Sequence, residues 1–163
     1  MKLKEFLLKF GFTEENYQEM ITKFPNINHI SLEKIFQKIM LLAEIGYSKA
    51  DIINMIVKNP RIYSLSIENM KNKFNDFKEL GYTNNETKIL FKRCPSLYNY
   101  TLETIKTKIS DLTSLGYTKD EIINMSKSNP VIYQRTMEEI NNKINDLLQI
   151  GYTYSNVISM TRK

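Results

Sequence analysis

Lysine returns at one fixed place in this chain: Lys38, Lys73, Lys108 and Lys143, each 35 residues after the last. A cation repeated at constant spacing suits a polyanion, because each neutralised phosphate releases condensed counterions and adds to affinity. A second group stands in four similar segments: Lys23, Lys58, Arg61, Lys92, Arg93 and Lys127, with Arg135 a little beyond. Both groups have a plainer use. Asp76, Asp111 and Asp146 follow three residues after Lys73, Lys108 and Lys143, a spacing that allows local pairing on a helix face. The first copy has Leu41 there instead. The second group would sit at helix C-termini, where the helix dipole favours positive charge. The candidate phosphate contacts are therefore Lys38, Lys58, Arg61, Lys73, Lys92, Arg93, Lys108, Lys127, Arg135 and Lys143.

Charge distribution narrows the choice. The chain has 23 basic and 18 acidic side chains, a net charge of +5. Residues 46–80 hold six basic against four acidic groups, and residues 81–115 hold five against three. Residues 11–45 and 116–150 are each net acidic. The excess lies in the middle, and Lys58, Arg61, Lys92 and Arg93 supply most of it.

Other chemistry has little material. The lone histidine, His29, shares its place with Ser64, Asn99 and Gln134, as a surface polar residue would. Cys94 stands where other copies have Asn59 and Asn129, and reads as a small packing residue. One cysteine and one histidine cannot build a zinc site or a Cys/His dyad in multiple copies. No glycine-rich phosphate loop is present. Carboxylate pairs such as Asp120–Glu121 and Glu138–Glu139 fall in first turns of helices, where the dipole stabilises them. Tyr63, Tyr98 and Tyr133 could stack on bases, but tyrosine packed between units is the expected role. The expectation is a protein that is not an enzyme and uses no cofactor or metal.

The elements that position these residues are legible from punctuation. All glycines fall at 11, 46, 81, 116 and 151, and all prolines at 25, 60, 95 and 130. One period of 35 residues governs both series, which is the signature of a stacked helical repeat. Two residues after each glycine comes a serine or threonine suited to N-cap a helix, with Glu86 and Glu121 completing capping boxes to Thr83 and Thr118. The proline ends that helix by pushing its predecessor out of helical geometry. A tight turn follows, then a second N-cap (Ser31, Ser66, Thr101, Thr136) and a longer helix burying Ile67, Met70, Phe74, Phe77 and Leu80 in one copy. The next glycine stops it in the left-handed conformation, and the aromatic after the glycine folds back on the last turn. No apolar run approaches the ~18 residues of a membrane span. The start, MKLKEFLLKF, reads as structure rather than a signal peptide.

The segments LGYTKDEIINMSKSNPVIY and IGYSKADIINMIVKNPRIYSLSIENMKNKF resemble the mitochondrial transcription termination factor (mTERF) family, and the likeness runs along essentially the whole chain. Members often carry a proline early in the second long helix. Gln37, Asn72, Thr107 and Asn142 hold that place here, each followed by the repeated lysine. The resemblance implies an all-α fold: a curved helical-repeat solenoid of 35-residue units, each of two main helices plus a short turn of tight helix. The expected boundaries are a half-unit cap at 1–10, repeats at 11–45, 46–80, 81–115 and 116–150, and a half-unit cap at 151–163. The resemblance also implies backbone-dominated binding of double-stranded DNA or RNA in a basic concave groove, with a regulatory role in transcription. A protein-binding scaffold using the same face is the alternative. A monomer without membrane attachment is expected, cytoplasmic, or in an organelle matrix once a targeting segment is removed.

Overall fold

A computed structural model describes residues 2–161. Among them are ten α-helices and no strand. The shorter helices of the units are α2 (Glu14–Lys23), α4 (Lys49–Lys58), α6 (Asn84–Arg93) and α8 (Lys119–Ser128). The longer ones are α3 (Leu32–Glu44), α5 (Ile67–Glu79), α7 (Leu102–Ser114) and α9 (Met137–Gln149). Between the two in each unit lies a 3-10 turn: Pro25–His29, Pro60–Ser64, Pro95–Asn99 and Pro130–Tyr133. Half-units α1 (Leu3–Phe10) and α10 (Tyr154–Thr161) flank the array.

Local chemistry sets each boundary as the sequence implies. The Ser48 hydroxyl accepts the Asp51 amide, and the Asp51 carboxylate accepts the Ser48 amide, closing a capping box at the start of α4. Asn59, just before Pro60, has φ −139° and ψ 78°, so α4 ends there. The ring that follows starts a 3-10 turn, since proline fits a first-turn position where no N–H is needed. At the far end of α3, Gly46 has φ +94°. Its amide donates to the Ala43 carbonyl while the Tyr47 amide donates to Leu42, a Schellman closure.

Most elements pack on their own counterpart in the next unit. Helix α2 lies on α4, α4 on α6 and α6 on α8, while α3 lies on α5 and α5 on α7. The first three 3-10 turns also stack on one another. Two helical rows and a row of proline turns result, with one continuous apolar core between them.

Aromatic side chains tie one unit to the next. Tyr63, Tyr98 and Tyr133 are all buried, as expected of packing residues rather than base-stacking ones. The Tyr82 hydroxyl shares hydrogen bonds with Ser126 and Tyr133. One unit earlier, Phe91 replaces the serine, and the Tyr47 hydroxyl donates instead to the Lys88 carbonyl at 3.0 Å. One unit earlier again the aromatic is Phe12, which has no hydroxyl. The Tyr63 hydroxyl, which should meet it, is buried without a hydrogen-bond partner, as is that of Tyr98. A buried orphan hydroxyl costs more than its absence, whereas a satisfied one contributes about 1 kcal/mol. Tyr63→Phe is therefore expected to leave stability unchanged or raise it, and Tyr133→Phe to lower it by about 1–2 kcal/mol. Urea denaturation of both variants measures the contrast, and equal losses would refute it.

Candidate nucleic-acid interface

The two cation groups occupy different rows of the stack. Lys38, Lys73, Lys108 and Lys143 project from the longer helices α3, α5, α7 and α9. Lys23, Lys58, Lys92, Arg93 and Lys127 stand at the C-terminal ends of α2, α4, α6 and α8, and Arg61 lies in the 3-10 turn that follows α4, directly after Pro60.

The repeated lysines are not equivalent, which corrects the expectation of a uniform phosphate-tracking ladder. Lys38 is buried, with 4% of its surface exposed. Loss of hydration, reinforced by Lys34, pushes its pKa below the ordinary lysine value. Lys73 is turned into the structure, donating to the Tyr100 carbonyl of the next unit at 2.5 Å and pairing with Asp76 at 3.3 Å. Lys73 thus serves the stack itself, and Lys38 is withdrawn from solvent. Lys108 is half-buried and Lys143 exposed, and neither meets Asp111 or Asp146 in an ion pair among the described residues. The expected local pairing thus forms at Asp76 alone.

The C-terminal rim of the shorter helices is built differently. Lys23 donates to the Val57 carbonyl at the end of α4, and Arg93 donates to the Lys127 carbonyl at the end of α8. In each case a cation of one unit neutralises the open carbonyls of the next helix, where the dipole is negative. Lys92 pairs with Asp51 at 2.7 Å, and Lys127 with Glu86 at 2.6 Å. Asp51 and Glu86 are capping-box residues, so each carboxylate both closes its own helix and holds a lysine of the following unit. Lys92 keeps the Asp51 carboxyl below the ordinary aspartate range. Lys127, aided by the Thr83 cap, brings Glu86 down to about 2. Lys92 therefore contributes less free charge than its exposure suggests. Arg135 is similarly matched, by Glu139 at 3.3 Å.

Lys58 and Arg61 remain. Both are exposed, and no carboxylate faces either among the described residues. They lie on the rim of the first basic unit, one step from Lys92 and Arg93 on the next, because the 3-10 turns that follow them are in contact. The 3-10 turns beside Lys58 and Arg61 and beside Lys92 and Arg93 are neighbours, whereas Lys38 is buried and Lys73 is engaged within the stack.

The bridging role of Asp51 and Glu86 does not emerge from the sequence reading. A signal exists: each stands 41 residues before its lysine, the same offset twice. His29 is exposed and Cys94 buried, the latter with its thiol pKa raised mainly by burial. Among the described residues, no helix is long and apolar enough to cross a membrane. The family model for mTERF matches residues 1–79 and 37–163, together the full length. No curated protein matches the chain.

Proposed function

This chain belongs to the mTERF family, and from that premise we propose that it binds double-stranded DNA or RNA through the rim of its two central units, mainly by phosphate contact. The observation that carries the reading is the placement of Lys58 and Arg61, exposed and free of carboxylates, beside Lys92 and Arg93. Unmatched charge at a helix rim has a low desolvation cost and is available to a phosphate. Lys92 can leave Asp51 for a phosphate because its side chain is 50% exposed. Arg93 uses one guanidinium nitrogen on the Lys127 carbonyl, and its planar fork has further donors. A role in regulating transcription would follow from such occupancy of a duplex.

Salt dependence tests the reading. Four phosphate contacts on B-DNA give a slope of about −3.6 in log affinity against log salt. Fluorescence anisotropy with a labelled duplex, titrated at salt concentrations from about 50 to 300 mM, would measure it. A slope near zero would remove the phosphate reading.

A further inference from the structure

One position near the C-terminal ends of the shorter helices is filled by Val57 on α4, Lys92 on α6 and Lys127 on α8, 35 residues apart. The residue 41 places before each is third in the short helix of the preceding unit: Asn16, Asp51 and Glu86. The two positions agree. A neutral amide goes with valine, and a carboxylate goes with each lysine. Asn16 closes the same capping box as the carboxylates, accepting from the Thr13 amide at 3.1 Å. The cap therefore does not require a negative charge. Asp51 and Glu86 carry one beyond what the cap needs, and it is directed at the lysine of the next unit, at 2.7 Å and 2.6 Å.

Separate atoms perform the two tasks. In Asp51, Oδ2 accepts from the Ser48 amide and Oδ1 faces the Lys92 ammonium. In Glu86, Oε2 accepts from the Thr83 amide and hydroxyl, while Oε1 faces Lys127. A lysine can leave without opening the cap. Both carboxylates are partly exposed, so water reaches the vacated oxygen. Solvent-exposed ion pairs are weak, and a phosphate competes with them directly. Lys127 has one further tie, to the Asn124 side chain at 3.0 Å.

We propose that Asp51 and Glu86 are autoinhibitory residues of the cation rim: each holds its lysine in the free protein and gives it up to a phosphate of the bound duplex. The proposal rests on the phosphate reading above. Lys58 and Arg61 have no such holder among the described residues, so phosphates meet them first. Contact then spreads to Lys92 and Lys127 only by displacing a carboxylate. Overall affinity is lowered, and an extended polyanion that reaches all three helix ends is favoured over an isolated anion at the end of α4.

The test is duplex affinity of the full chain at fixed salt, read by anisotropy for Asp51→Asn, Glu86→Gln and the two combined. Both amides retain a cap acceptor, as Asn16 does, and a thermal melt close to that of the native chain verifies the fold. Each single variant is expected to bind about threefold more tightly, the scale of an exposed ion pair. The combination should bind about tenfold more tightly, since separate sites add. A carboxylate also repels phosphate directly, so the comparison is repeated without the lysine. In a chain carrying Lys92→Met, Asp51→Asn should lose most of its gain, because the double-mutant cycle isolates the lysine–carboxylate contact. An equal gain with and without Lys92 assigns the effect to repulsion alone and overturns the proposal. Salt-dependent binding that neither amide changes also overturns it and leaves the phosphate reading standing. No salt-dependent binding by the native chain or any variant removes both.

Discussion

Phe77→Ala is expected to destabilise the protein by about 3–5 kcal/mol, the usual cost of emptying a buried phenylalanine site. Phe77 is 1% exposed. Its ring lies 4.9 Å from Phe91, 5.3 Å from Tyr82 and 6.5 Å from Tyr133, measured between centroids. It thus touches rings from the next unit and from the one after. Alanine removes the transfer free energy of a large apolar group and leaves a cavity that three rings cannot all close. Because a repeat array is stabilised unit by unit and interface by interface, the loss falls in the centre of the stack. Circular dichroism under urea should show an earlier transition and, with the middle weakened, a broader one. A midpoint shift equivalent to less than about 1 kcal/mol would mean that the aromatic cluster is not the core of the array.

Lys58→Glu combined with Arg61→Glu is expected to lower duplex affinity by roughly 50-fold or more at about 0.1 M salt, since each phosphate contact contributes a power of about 0.9 in salt concentration. The salt slope should shrink by about 2, roughly one for each cation reversed. Neither side chain has a carboxylate partner to lose, so the stability cost should be limited to about 1 kcal/mol from a carboxylate at the C-terminal end of α4. A matched control separates local contact from net charge. Lys71→Glu with Lys78→Glu changes the total charge equally, at exposed positions on α5. It should change affinity only a few-fold. Equal losses in the two double variants would show a diffuse electrostatic attraction and no defined rim.

Much of this architecture is legible in the residues themselves. Glycine and proline report backbone geometry directly, so Gly46 at positive φ and Asn59 outside the helical region follow from residue type alone. N-caps such as Ser48 and Thr83 are equally local, needing only a hydroxyl and an amide three residues on. The failures are all cases where a long side chain chooses between distant partners. Nothing in the spacing of Lys38 and Lys73 tells whether an ammonium reaches water or turns into the structure. The same spacing at Lys143 leaves the side chain exposed. Lys92 looks free in the sequence because its carboxylate, Asp51, is 41 positions away and is already explained by its cap. Tyr63 reads as a packing residue, and it is one. Its unsatisfied hydroxyl is visible only in three dimensions, where Phe12 stands in the place that other units give to tyrosine.

The polar latches between units all join near neighbours along the stack: Lys23 to Val57, Asn59 to Pro95, Lys73 to Tyr100 and Arg93 to Lys127. None of them ties the first unit to the last. Pulled by its two ends, such a molecule has no long-range staple to share the load, and it yields one link at a time. Each link that gives way releases a similar packet of chain, about 12 nm for roughly 35 extended residues, while the units on either side stay folded and keep whatever they are holding.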